Sequence, residues 1–252
     1  MQSAYKKLVV GLMGGVVLNV MANGAWAGTV TLSSISAAWE NPLPSATLNN
    51  AGATKTARWG QDTGFGQSGY DFTPVAGTVA ISVPPSPSPN FLVGNFAHVN
   101  FAILPTWLED IDLKISAAVD VDGTFIGIKN FLFHFDHLET PNGGTPCPNG
   151  AANGSGINAN GCADRVITNF ITTSDSFLVG AEVYTLNLVG FSQDGGTTID
   201  TTFWTKEQTV NTAGLYAQVS LRQNPVPEPA TWAVLGLGLV TLVAARRKKV
   251  VI

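Results

Sequence analysis

Residues 180–191 read Gly-Ala-Glu-Val-Tyr-Thr-Leu-Asn-Leu-Val-Gly-Phe, and this stretch decides the fold class. In an extended chain, successive side chains point to opposite faces. The face that is largely apolar here carries Glu182, Tyr184, Leu186 and Leu188. One apolar and one mixed face are typical of a half-buried β-strand.

Similar runs recur along the chain, with clusters of Gly, Pro, Asn and Asp between them: 29–36, 77–83, 90–103, 111–121, 125–135, 170–179 and 215–221. No run before residue 230 keeps a helical period. This pattern predicts an all-β domain, an antiparallel β-sandwich or a jelly-roll. The Pro-rich stretch 82–89 is a linker or a stiff loop within one domain, and we expect the loop because few large aliphatic residues precede it.

The N-terminus has the pattern of a removable export signal. Lys6 and Lys7 precede an apolar stretch, and Ala25 and Ala27 supply the small residues that signal peptidase needs, so we expect cleavage after Ala27. An uncleaved N-terminal anchor is the alternative. Residues 1–27 are therefore predicted to be a signal peptide.

The C-terminus carries three features in a fixed order. Val226-Pro227-Glu228-Pro229 precedes an apolar run over 230–245, and Arg246-Arg247-Lys248-Lys249 follows it. The apolar run of about 16 residues reaches about 24 Å as a helix, enough to span a membrane with its flanking residues. The basic residues favour a cytoplasmic position for that end, so the body of the protein faces outward.

This order resembles the PEP-CTERM sorting signal of Gram-negative bacteria, which an exosortase, a membrane transpeptidase, reads. The resemblance implies an inner-membrane anchored precursor that is then delivered to the cell surface or the medium. A plain C-terminal anchor after a Pro-rich linker is the alternative. We therefore expect a signal peptide over 1–27, an exported β-sandwich domain over 28–224 and a sorting signal over 225–252.

The body between the two signals is acidic. Residues 28–224 contain about seven basic residues and about 16 carboxylates, a net charge of roughly −9, against −4 for the whole chain. Nucleic-acid binding needs clustered Lys and Arg, and the body has no basic patch. These observations exclude a nucleic-acid partner.

Cys147 and Cys162 enclose a stretch that is rich in Gly and Asn. An exported protein meets an oxidising compartment, so we expect a disulfide between them. A bridge across about 15 residues removes roughly 3 kcal/mol of loop entropy from the unfolded state. Two Cys residues are too few for a structural zinc site.

Five segments of the body carry a second resemblance: 58–60 (Arg-Trp-Gly), 68–72 (Ser-Gly-Tyr-Asp-Phe), 96–101 (Phe-Ala-His-Val-Asn-Phe), 139–142 (Glu-Thr-Pro-Asn) and 184–191. Their order is similar to that of the THxN family of PEP-CTERM proteins. His98 and Asn100 match the family signature, and Ala97 replaces its Thr. The resemblance implies an exported, surface-sorted β-domain, and it brings no activity with it.

The candidate chemical groups form no recognised active site. Alternation along 131–137 puts His134 and Asp136 on one face and His137 on the other, with three Phe side chains. His98 or Glu139 from a neighbouring strand could complete a metal centre, but we expect histidines that form hydrogen bonds at a strand end.

Calcium is the one cofactor that the sequence leaves open. Two pairs of aspartates could hold the ion in a loop: Asp110 with Asp112, and Asp120 with Asp122. The calcium-loop template is not met, so we expect solvated acidic turns. No nucleophile elbow, P-loop or zinc-protease motif occurs, and we predict neither catalytic residues nor a metal site.

The large aromatic residues are expected in the core, with a sugar-stacking platform as the alternative: Trp39, Trp59, Tyr70, Trp107 and Trp204. The sorting system that the tail resembles usually accompanies exopolysaccharide production. We therefore predict a structural or exopolysaccharide-associated protein of a biofilm or floc, without catalysis. A secreted carbohydrate-active hydrolase and a calcium-dependent glycan-binding module are the alternatives.

Overall fold

The computed structural model describes residues 28–83, 86–169 and 176–223. The predicted signal peptide with Ala25 and Ala27 lies outside these residues, as does the predicted sorting signal with its apolar helix and basic tail. Within the described residues, no helix is long and apolar enough to cross a membrane. The one helical element in this part of the chain is a 3₁₀ turn, Gly156–Asn158.

The described residues form fifteen strands: β1 (Gly28–Leu43), β2 (Thr47–Asn49), β3 (Lys55–Trp59), β4 (Gln61–Asp62), β5 (Ser68–Pro74), β6 (Val79–Val83), β7 (Phe91–Asn100), β8 (Ile103–Leu104), β9 (Asp110–Val121), β10 (Thr124–Leu138), β11 (Asp164–Asn169), β12 (Ser176–Val179), β13 (Glu182–Ser192), β14 (Thr202–Thr205) and β15 (Thr209–Gln223). The prediction of an all-β domain is confirmed.

The strands build two large sheets in which every pairing is antiparallel. One sheet has six strands in the order β14-β11-β10-β9-β1-β6, and the other has seven in the order β12-β13-β15-β7-β5-β3-β2. The short strands β4 and β8 pair separately. The antiparallel prediction is therefore confirmed, because neighbouring strands run in opposite directions throughout both sheets.

The two sheets face one another across an aromatic core. Trp39 of β1 lies 5.6 Å from Tyr70 of β5, measured between ring centroids, and Phe96 of β7 stacks on Phe135 of β10 at 5.8 Å. Strand alternation produces this core directly: along β9, buried and half-exposed residues alternate without a break. The apolar side chains of both sheets thus fill one shared interior.

The stretch 180–191 forms most of β13. Tyr184, Leu186 and Leu188 are buried, as the alternation predicts. A bulge then shifts the register between Leu188 and Gly190, so that Phe191 also points inward. Gly190 has φ +140°, and a Cβ there would lie 2.3 Å from the carbonyl oxygen of Asp200. Only glycine fits this position without a shift of the neighbouring backbone.

The described part of the Pro-rich stretch 82–89 is hydrogen-bonded to β15. The backbone N–H of Ser88 donates to the Val219 carbonyl at 2.8 Å, and the Val219 N–H donates to the Ser88 hydroxyl at 2.9 Å. The Ser86 hydroxyl accepts the N–H of Leu221 in the same way. These bonds fit the expected loop within the domain.

Candidate metal centre

Six polar side chains meet where β10 and β14 end and β11 begins. We call them the buried polar cluster, which has one half-buried member, Glu139, and five buried ones: His98, Asn100, His137, Asp164 and Glu207. The strand order explains the meeting, because β11 lies between β10 and β14 in one sheet while β7 crosses above them in the other. The rings of His98 and His137 lie 5.1 Å apart across the two sheets.

His98 is fully buried, and its two ring nitrogens have different surroundings. Nδ1 lies 2.7 Å from the hydroxyl of Thr205, and that hydroxyl donates to the backbone carbonyl of Asp164 at 3.3 Å. The hydroxyl therefore accepts from Nδ1–H, which leaves the lone pair on Nε2. Nε2 has no hydrogen-bond partner within the described chain. Burial, with smaller effects of His137 and Arg58, holds the pKa of His98 well below its ordinary value, so the ring is neutral.

His137 is also hydrogen-bonded through Nδ1, but its Nε2 has a partner, Glu139. Its Nδ1 lies 2.6 Å from the hydroxyl of Tyr70, and its Nε2 lies 3.3 Å from a carboxylate oxygen of Glu139. Burial raises the pKa of Tyr70 well above its ordinary value, so this hydroxyl stays protonated. Trp59 packs against both imidazoles, with ring centroids at 5.8 Å from His98 and 5.1 Å from His137. Both rings are thus held with Nε2 toward the cluster.

The carboxylates of the cluster lie in an unfavourable environment for negative charge. Burial, followed by the charges of Glu139 and Glu207, raises the pKa of Asp164 to about 9. Burial and Glu139 raise the pKa of Glu207 to about 7. No Lys or Arg among the described residues forms an ion pair with any of the three. The repulsion is therefore relieved only by protons or by a cation.

Each buried carboxylate has one oxygen engaged and one unpaired. Oδ1 of Asp164 accepts the backbone N–H of Thr140 at 2.7 Å, and Oε2 of Glu207 accepts from the side-chain amide of Asn142 at 3.3 Å. Oδ2 of Asp164 and Oε1 of Glu207 have no hydrogen-bond partner within the described residues. The unpaired oxygens are available to a ligand of the cluster.

The potential ligand atoms form two groups of three that share Asp164. One potential ligand atom each from His98, His137 and Asp164 lie within 4.8 Å of one another, and so do those of Glu139, Asp164 and Glu207. Ligands at about 2.1 Å from a zinc ion are separated by about 3.4 Å at the tetrahedral angle and by about 4.2 Å when opposite. The 3.3 Å between His137 Nε2 and Glu139 Oε2 is close to the tetrahedral value.

The disulfide loop forms one wall of the cluster. Cys147 and Cys162 are bridged, as the sequence predicts. At the ends of the loop, the Thr140 hydroxyl donates to the Cys162 carbonyl at 2.8 Å, and Asn160 donates to the backbone carbonyl of Glu207 at 3.1 Å. The bridge therefore ties down the two loop ends that position Asp164 and Glu207.

A cleft of about 430 Å³ lies beside the cluster. Its lining includes Trp107, Glu109, His137 and Glu139, and the Trp107 side chain is half-exposed at 49%. Glu139 is the cluster carboxylate closest to solvent, since 9% of its side chain is exposed. The cleft gives a small ion or ligand a route to the outer side of the cluster.

The structure separates the metal set that the sequence suggests, because His98 and Glu139 lie beside His137 and not beside His134 and Asp136. His98, His137 and Glu139 meet, and the two histidines form hydrogen bonds at strand ends as expected. His134 and Asp136 lie on the opposite face of β10, where His134 Nδ1 is 2.8 Å from Oδ1 of Asp112 and Nε2 is 3.3 Å from Asp136. Sequence reasoning missed Asp164 and Glu207, and no local pattern marks either residue.

The aspartates considered for calcium do not share a loop. Asp110, Asp112 and Asp120 are all in β9, and Asp122 directly follows it. Eight residues of strand between Asp112 and Asp120 span about 26 Å, so the two pairs cannot share an ion. Asp112 accepts from Asn41 at 2.9 Å, and Asp122 accepts the N–H of Thr29 at 2.7 Å.

The five aromatic residues considered for sugar stacking differ in their exposure to solvent. Trp39, Trp59 and Tyr70 are buried, as expected for core residues. Trp204 is half-buried, and the guanidinium carbon of Arg165 lies 5.7 Å from its ring centroid. Trp107 is the exposed member of this set, so it is the one that a sugar could reach.

Comparison with known proteins identifies the C-terminal segment. Residues 225–248 match the PEP-CTERM protein-sorting motif. The motif indicates an exported protein that an exosortase processes, made as a membrane-anchored precursor and later released to the cell surface. No curated protein matches the chain.

Proposed function

We propose that this chain is a surface protein of the THxN group whose β-domain associates with extracellular polysaccharide and does not catalyse a reaction. The sorting match at 225–248 carries the proposal, because it begins directly after β15 ends at Gln223. Cleavage there would release an intact domain. A removed signal peptide over 1–27 and a membrane helix over 230–245 belong to the same proposal.

Membership of the THxN group is supported by the placement of the signature residues. His98 and Asn100 both point into the buried polar cluster, whereas the half-exposed Ala97 lies on the other face of β7. Replacing the signature Thr by Ala97 therefore leaves the cluster unchanged.

Trp107 supports the association with polysaccharide. It is half-exposed at a cleft that also contains Glu109 and Glu139. An indole ring can stack on the apolar face of a sugar while carboxylates accept hydrogen bonds from its hydroxyls. The acidic body favours neutral over anionic glycans, because like charges repel.

The mature protein should bind matrix polysaccharide from its host, and Trp107→Ala should weaken that binding at least about fivefold, equivalent to about 1 kcal/mol. Phe125→Ala is the control, since Phe125 is 62% exposed at the opposite end of β9 and β10. Equal glycan binding by both variants would contradict the proposal that Trp107 stacks on a sugar. Release of sugars by the wild-type protein would favour the hydrolase instead.

Sorting is tested separately. Glu228→Ala should leave an uncut precursor in the membrane, whereas the mature wild-type protein should lack the segment from Ala230 onward. Mass spectrometry of the exported and membrane fractions distinguishes these forms. An intact tail on the surface protein would contradict processing and favour a plain anchor.

A further inference from the structure

We propose that the buried polar cluster binds one divalent transition-metal ion of the zinc class, held by Nε2 of His98, Nε2 of His137 and Oδ2 of Asp164. Glu139 and Glu207 supply the remaining oxygens. The ion joins the two sheets, because His98 belongs to β7 and the other two ligands belong to β10 and β11. This inference does not depend on glycan binding.

The unpaired atoms carry the argument. His98 and Asp164 are fully buried, and each leaves one acceptor atom without a hydrogen-bond partner in the described chain. An unpaired buried acceptor destabilises the folded protein, because it has lost its hydrogen bond to water. A water molecule would satisfy these acceptors, but it would not offset the repulsion among three neighbouring carboxylates. A divalent cation does both.

The histidine surroundings select the class of metal. Ligating histidines usually hydrogen-bond through their second nitrogen, and this bond orients the ring. Thr205 does this for His98 and Tyr70 for His137, at 2.7 and 2.6 Å. Two imidazoles with carboxylates suit zinc and neighbouring transition ions, whereas calcium and magnesium prefer oxygen ligands alone.

A shared proton is the competing explanation. In that case Asp164 is protonated next to Glu207, and no ion binds. Asp164→Asn separates the two explanations, because the amide mimics a protonated carboxyl in shape but loses the charge that a metal requires. The variant should keep its fold in both cases and lose metal only if the proposal holds.

The test uses the mature protein without a histidine tag, stripped with chelator and titrated with Zn²⁺. We expect one zinc per chain by elemental mass spectrometry. The melting temperature should rise by about 5–10 °C at a free zinc concentration 100-fold above Kd. Ca²⁺ and Mg²⁺ at the same concentration should leave it unchanged.

Three variants locate the ion. His98→Gln and Asp164→Asn should each weaken zinc binding by more than about tenfold, since even changes of supporting residues cost that much. His134→Gln is the matched control, because His134 lies on β10 but faces away from the cluster. The proposal is wrong if zinc neither binds nor stabilises the protein, if Ca²⁺ binds equally well, or if only the His134 variant loses zinc.

Discussion

Phe96 and His98 lie two residues apart on the inward face of β7, and both are fully buried. Phe96 packs against Phe135 at 5.8 Å and Phe191 at 5.2 Å. These contacts are sufficient for an apolar ring, which has no polar atom to pair. His98 leaves Nε2 unpaired beside carboxylates that repel each other. One strand thus crosses from a region that packing alone stabilises to a region whose stability depends on protons or a bound cation.

The largest expected effect tests the aromatic half. Phe96→Ala should lower the free energy of unfolding by about 3–5 kcal/mol, because a large cavity opens among packed rings. The loss should be the same in zinc and in chelator, as measured by urea denaturation. Phe125→Ala should stay within about 0.5 kcal/mol, since that ring is exposed. If the loss of unfolding free energy for Phe96→Ala depended on zinc, the aromatic and polar regions would not be energetically independent.

The disulfide should matter chiefly to the polar half. Replacing both Cys147 and Cys162 by Ser should lower the free energy of unfolding by about 3 kcal/mol, through the entropy of a 15-residue loop. Zinc affinity should fall as well, because the loop ends position Asp164 and Glu207. Denaturation and zinc titration of the double variant measure the two effects. Two free thiols in the mature wild-type protein would contradict the bridge.

The metal-free protein should lose stability as pH rises, and between pH 7 and pH 9 the loss should come from Asp164 alone. Glu207 and Asp164, with pKa values of about 7 and about 9, hold protons in the folded state that the unfolded chain has already released. Their contribution is complete below the ordinary carboxyl pKa of about 4 and falls by up to about 1.4 kcal/mol per pH unit for each proton, until about pH 7 for Glu207 and about pH 9 for Asp164.

His98 acts in the opposite direction, but only below its ordinary pKa of 6.5, and Tyr70 stays protonated throughout this range. Chelator-treated protein followed by denaturation across pH should therefore show the slope, and Asp164→Asn should flatten it. An identical slope in that variant would show that other groups cause the loss.

The smallest effect belongs to the outer face of β10. Burial lowers the pKa of His134, but the hydrogen bond and charge of Asp112 outweigh it, so the pKa is raised overall. The charged pair therefore adds stability at pH 5.5 that is lost as pH rises through this raised pKa. His134→Gln should cost no more than about 0.5 kcal/mol at pH 5.5, because the pair is partly exposed. A larger loss of unfolding free energy would show that the outer face of β10 also contributes substantially to the stability of the fold.

The sequence predicts most of the fold because the alternation that marks a strand involves residues close together in the sequence. The alternation along β9 and β13 matches the buried faces, and the Gly- and Asn-rich stretch between Cys147 and Cys162 predicts its own bridge. The bulge at Gly190 was not predicted, because it depends on the close approach of the Asp200 carbonyl from another part of the chain. Alternation also separates His134 from His137 correctly.

The chain alone therefore determined the all-β class, the faces of its strands and the sorting motif, since each depends on residues that are near one another in sequence. The tertiary structure decided the cluster. Asp164 comes 66 residues after His98 and Glu207 comes 43 after Asp164, and only the strand order β14-β11-β10 beneath β7 brings their side chains together. Long-range strand pairing creates that proximity, and no local pattern of residue types encodes it.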